Sequence, residues 1–182
     1  MQDNPGPRLL LGLAGWPHPA WEGDYFPDDL PRDWQFAYYS NDASCLLLAA
    51  AQWQALDDEQ IEDWLEDAPE HFRFFLEWPE QGGDVGRLQV FGSHLGALLV
   101  QENQQIAREL PQLRHVGGGE WAERDGTVRL LCWRLDDTDL RRLRERLQAM
   151  PPGVQAIVFE DEGADPRQLA DIRTLTELLG LA

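Results

Sequence analysis

Apolar positions along this chain fall in short runs of strand length, separated by stretches with helical spacing. Leu9 to Ala14 is a continuous apolar run closed by Gly15, the pattern of a buried strand. The loop Trp16-Pro17-His18-Pro19-Ala20-Trp21 follows, and Gly23, Pro27 and Pro31 keep the chain irregular until about Arg32. From there Trp34, Ala37 and Tyr38 give helical spacing. The unit then repeats. Ser44 to Ala51 reads as a second strand, and Asp57-Asp58-Glu59-Gln60 supplies N-cap chemistry for a helix with Ile61, Trp64, Leu65 and Ala68 on one face. Phe72 to Trp78 reads as a third strand, stopped by Pro79.

The second half is less regular. Residues 82–92 are glycine-rich and show no period, and Leu95 to Gln101 fits either a fourth strand or the start of a helix carrying Ile106 and Leu110. Gly117-Gly118-Gly119 marks a flexible loop and Thr127 to Leu135 a strand. Asp136-Asp137 opens a helix whose Leu140, Leu143, Leu147 and Met150 face inward until Pro151. Val154 to Phe159 is the last strand. Asp165-Pro166 then starts a helix with Leu169, Ile172, Leu175 and Leu179 on its buried side, closed by Gly180. About six strands alternating with helices call for a parallel sheet. A full eightfold barrel usually takes roughly 200 residues or more, so the expected fold is a single α/β domain over 1–182. It is either an abridged TIM-barrel-like (β/α) fold or an open parallel sheet, with ligands at the carboxyl ends of the strands.

Composition narrows the chemistry. The net charge is -18, and all 15 basic residues are arginine. Such a surface opposes phosphate backbones and anionic lipid, so neither nucleic acid nor membrane is an expected partner. Without lysine there is no Schiff-base or Walker-type chemistry. Cys45 and Cys132 lie far apart in apolar runs with no CxxC partner, which fits buried free thiols in a cytoplasmic protein. His18, His71, His94 and His115 lack metal-ligand spacing, so neither a metal nor a cofactor is expected.

Gly12-Leu13-Ala14-Gly15-Trp16, Pro19-Ala20-Trp21-Glu22-Gly23-Asp24-Tyr25-Phe26-Pro27, Leu30-Pro31 and Tyr38-Tyr39 together resemble the YecE-like family, a domain of unknown function. The resemblance is strongest over 9–79; Phe72-Arg73-Phe74 and Leu95 to Gln101 echo later segments. It implies the fold. It also implies that polar groups at strand ends have been replaced in a degenerate, shortened member: Leu13 and Ala14 stand where the family has Thr and Ser. Leu46 to Ala51 replace a Val-Glu-Ile-Asn-Ser-Thr strand, Glu77 replaces a Lys, and Glu160-Asp161 an Asn-Asn pair. The family's Arg-His-x-x-Trp signature is not recoverable, since glycines follow Arg114-His115.

Three constellations remain. Trp16, Trp53 and Trp78 follow strand ends, where indole rings can stack on a ligand with His18 adding a polar contact; the plainer account is that the rings fill volume. Glu77, Glu160 and Asp161 end two strands and are candidates for an acid/base pair or a hard-cation site, against the plainer account of solvated acids in an acid-rich chain. Arg141, Arg142, Arg144 and Arg146 suit the carboxyl end of a helix dipole, or a docking spot for an acidic partner. The reading that follows is a non-catalytic protein that binds a small ligand or a protein partner. Its rivals are a hydrolase with a re-sited carboxylate site, with or without metal assistance, and an oligomeric scaffold with an apolar patch where missing strands would have packed.

Overall fold

The computed structural model describes residues 8–102, 104, 106, 107, 109–135, 139–161 and 164–181. Among these, eight strands close into one barrel: β1 Leu10–Ala14, β2 Cys45–Leu48, β3 Arg73–Glu77, β4 Leu95–Val100, β5 Gln112–Gly117, β6 Glu120–Ala122, β7 Val128–Trp133 and β8 Ala156–Phe159. Neighbours pair in chain order, and β1 closes on β8 in parallel register, Leu11 beside Ile157. The expectation of about six strands, and of an open sheet as one option, is therefore corrected.

The reason lies in β6. It runs antiparallel to both β5 and β7, so this third of the barrel is joined by hairpin turns instead of the long helical crossovers that parallel neighbours need. That economy lets eight strands close in 182 residues. Gly117, Gly118 and Gly119 make the first turn with φ of 113, 59 and 80°, a run of left-handed residues that only glycine adopts without strain. The expected flexible loop is thus a hairpin turn. A closed barrel also has no strand edge, which removes the missing-strand patch.

The helices are α1 Arg32–Asp42, α2 Ala50–Ala55, α3 Asp58–Asp67, α4 Val85–Leu88, α5 Leu140–Gln148 and α6 Gln168–Leu178. Three of them differ in detail from the pattern reading. Ala50 and Ala51 leave the second strand to begin α2. Along α1 it is Phe36, Tyr39 and Ser40 that are buried, while Trp34 is 66% exposed. Leu140 is exposed as well, and α5 is capped by Asp139, whose carboxylate accepts from Arg141 N–H; the Asp136-Asp137 start falls outside the described residues.

Strand alternation divides the interior into two layers. Cys45, Leu47, Phe75, Ala97, Leu99, Leu113, Trp121, Leu130, Cys132, Ala156 and Val158 pack together as the filling of the lumen. The intervening Leu46, Leu48, Phe74, Leu76, Leu131, Ile157 and Phe159 pack outward against the helices. The β1–β2 seam carries two side-chain bridges. The Tyr39 hydroxyl accepts from Leu13 N–H and donates to Cys45 C=O, both at 3.0 Å, and Ser44 Oγ accepts from Leu11 N–H at 2.8 Å. Gly12 belongs to the same seam: a Cβ there would overlap the Cys45 carbonyl and stand 2.7 Å from its sulfur.

Gly12→Ala is therefore expected to cost about 3 kcal/mol in urea unfolding, the upper range for overpacking. Gly118→Ala, in open space at φ 59°, costs about 1 kcal/mol from its left-handed backbone alone. Equal losses for the two would show that the seam is not tightly packed.

Candidate functional site

The carboxyl ends of the parallel strands meet at one mouth of the barrel. Three of them carry polar groups there by alternation: Glu77 lies two residues after the lumen residue Phe75, Glu160 two after Val158, and Cys132 two after Leu130. The three groups interact. Burial holds the Glu77 carboxyl above the ordinary glutamate range, the Ala50 N–H at the start of α2 counteracts it, and the Glu160 carboxylate pushes it further up. Burial also raises the Cys132 thiol, reinforced by the charge of Glu160 and by a hydrogen bond to it; an opposing Trp121 contact is outweighed. At neutral pH that thiol stays protonated, so it is neither a nucleophile nor a thiolate ligand. Below it in the lumen Cys45 is raised by burial and then by Cys132, and both cysteines are free.

The frame around this mouth is rigid. Trp53 Nε1–H donates to the Glu77 carbonyl at 2.8 Å, Trp78 N–H to Leu99 C=O at 2.9 Å, and Glu160 N–H to Trp133 C=O at 2.9 Å. The Arg146 guanidinium lies 4.2 Å over the Trp133 ring and donates to Arg134 C=O. The arginines of α5 thus include one engaged in packing.

Of the carboxylates expected to form a site, Glu77 and Glu160 interact through their charges. Asp161 turns away: its carboxylate accepts from Leu135 N–H and caps the exit of β7. Trp53 is fully buried and stacks on Trp78, with ring centroids 6.2 Å apart, so both rings belong to the wall beneath α2. Trp16 packs edge-on against Trp21, Phe36, Tyr39 and Trp64 in the layer between barrel and helices. His18 caps the Pro19–Trp21 turn, its Nδ1 accepting from Ala20 N–H at 3.3 Å. Leu13 faces outward with the helix layer, whereas Ala14 and Leu47 do face the lumen. Cys132 and Trp121 were not anticipated. The alternation Leu130–Cys132 could have placed the thiol, but β6, only three residues long, has no periodic signal.

A family profile described as "Protein of unknown function DUF72" matches residues 10–158. The chain belongs to the DUF72 family. This is the YecE-like family, and the match runs well past residue 79, through β3 to β8. Two solved structures are similar to this DUF72 chain. A DUF72 family protein from Enterococcus faecalis V583 shares 13% identity at a TM-score of 0.57, covering 98% of this chain and 100% of its own. One from Thermotoga maritima MSB8 shares 12% at 0.55, covering 94% and 99%. At those identities the likeness is one of fold. No curated protein matches the chain. Among the described residues no three His, Cys, Asp or Glu side chains are grouped as a metal ion would need, and no helix is long and apolar enough to cross a membrane.

A raised carboxyl favours the folded state most when protonated. Its contribution is complete below the ordinary glutamate pKa and is lost as pH rises through the raised value. Glu77→Gln keeps an acceptor for Ala50 N–H and removes the charge, so Tm at pH 7 should rise by about 1–3 °C. The gain should vanish below about pH 4. A loss of stability at pH 7 in calorimetry would show that the Glu77 charge is stabilising instead.

Proposed function

We propose that this DUF72 chain is a binding protein that takes a small organic cation, an alkylammonium or guanidinium group, at the carboxyl mouth of its barrel without turning it over. The observation that carries the reading is the opposition of Glu77 and Glu160, two like charges near enough that one raises the pKa of the other. A cation between them relieves the repulsion and replaces it with two charge-assisted hydrogen bonds. The neighbouring lumen positions support binding over catalysis. Ala14 and Leu47 supply no proton donor or acceptor, and the Cys132 thiol is held neutral.

A second reading has one observation behind it. A carboxyl raised above its ordinary range and set beside a second carboxylate is the kind of pair that acid/base hydrolysis uses. In that case Glu77 is the acid and Glu160 the base.

Calorimetric titration with 1,4-diaminobutane at pH 7 is expected to show saturable binding. The Glu77→Gln/Glu160→Gln pair should weaken it by about tenfold or more, at about 1.4 kcal/mol per decade. Acidification through the raised pKa of Glu77 should weaken it too, because the protonated acid no longer balances the ligand charge. Unchanged affinity in the double variant defeats the binding reading. Turnover of chromogenic glycosides or phosphate esters that is lost in Glu77→Gln replaces it with the hydrolase.

A further inference from the structure

The opposite end of the barrel has a different chemistry. A cleft of about 850 Å³ opens at the amino ends of β3, β4 and β5, bounded by the turn from β6 to β7. Its floor is apolar, made by the lumen residues Phe75, Ala97 and Leu113, with Leu110 on the side wall. Beside the cleft β3 and β4 shift register between Phe74 and Phe75, and the small residues Gly96 and Ala97 follow Leu95 at the start of β4. A Cβ at Gly96 would lie 3.1 Å from the Phe75 ring and 3.2 Å from the Phe74 carbonyl, so that wall already stands at its closest approach.

The rim carries arginine, against the charge of the molecule as a whole. Arg129 grips both oxygens of Glu123, at 3.0 and 3.4 Å, and donates to Gly153 C=O at 3.2 Å. Arg114 is spent on the carbonyls of Glu102 and Gln104. Asp125 accepts from Thr127 N–H at 2.8 Å. Three guanidiniums thus face the carboxylates of Glu123 and Asp125, a surplus of one positive charge, and Arg124 is exposed on the rim above an apolar floor with no side-chain partner among the described residues. An uncompensated guanidinium beside a concave apolar surface presents two complementary demands, one for an anion and one for a hydrophobic body.

We infer that this cleft is a second binding site, for a small amphipathic carboxylate whose apolar body lies on Phe75, Ala97 and Leu113 and whose head group pairs with Arg124. The volume falls in the range of sites that enclose small molecules, on the order of 300–1,000 Å³. The site is separate from the carboxylate mouth. Phe75 and Glu77 are lumen neighbours on one strand about 7 Å apart, and the packed side chains between them leave one end anionic and the other cationic.

Decanoate is the probe, followed by titration calorimetry on the full chain. One-to-one binding is expected, weakened by about tenfold or more in Arg124→Glu. Decyltrimethylammonium, with the same tail and the opposite charge, should bind at least about tenfold more weakly than decanoate. Ala97→Phe, which fills the floor, should weaken both, and if that variant fails to fold, the exposed Arg124 decides alone. No saturable decanoate binding, an unchanged affinity in Arg124→Glu, or equal binding of the two head groups overturns the inference. The Glu77→Gln/Glu160→Gln pair should leave decanoate affinity unchanged, so the two sites stand or fall separately; a loss there would place the carboxylate at the other mouth and also overturn it.

Discussion

A closed eight-stranded barrel has a lumen that only its own side chains can fill, and empty volume inside it costs stability as surely as a cavity in any core. Most of what is distinctive here follows from that demand. The inward positions hold Leu47, Phe75, Leu99, Leu113, Trp121, Leu130 and Val158, with Cys45, Ala97, Cys132 and Ala156 taking up the smaller spaces. Gly12 lets β1 and β2 approach so closely that the Cys45 carbonyl occupies the place of a side chain. The Tyr39 hydroxyl and Ser44 Oγ then satisfy backbone groups along that same seam. The apolar character of Ala14 and Leu47 belongs to this filling.

Filling the middle also separates the two ends. Phe75 and its neighbours form a dry plug, and charges on either side of it interact with different solvent. At the carboxyl mouth the acids prevail, with Glu77 and Glu160 set against each other. At the amino end Arg114, Arg124 and Arg129 outnumber Glu123 and Asp125 by one charge, with Arg129 held on Glu123. A net charge of -18 therefore says little about either site, because the charge that matters is the local remainder after each group has taken its partners.

The α/β character, the buried first strands and the carboxyl-end position of Glu77 and Glu160 were legible in the sequence, because continuous apolar runs broken by proline and glycine can hardly be anything else. Three features were not. Neither Gln112–Gly117, with Arg114 and His115 in its middle, nor the three-residue Glu120–Ala122 shows a strand period, so the count fell short by two and the barrel seemed too long for the chain. The tryptophans follow strand ends as read, yet Trp53 lies in the wall, because what decides between stacking on a ligand and stacking on Trp78 is the position of α2. Asp161 differs from Glu160 by one residue, and strand alternation turns that single step into the opposite face.

The reversal at β6 also gives the barrel an uneven sequence map. From β5 to β7 the paired residues are near in the chain, Arg114 with Ala122 and Trp121 with Leu130. Closure instead pairs Leu10 with Ala156 across almost the whole chain. Loop-closure entropy makes the first kind of contact inexpensive and the second slow. The three-stranded meander thus holds the shortest-range pairings in a fold otherwise built from distant parallel ones, and the β1–β8 seam closes the longest loop.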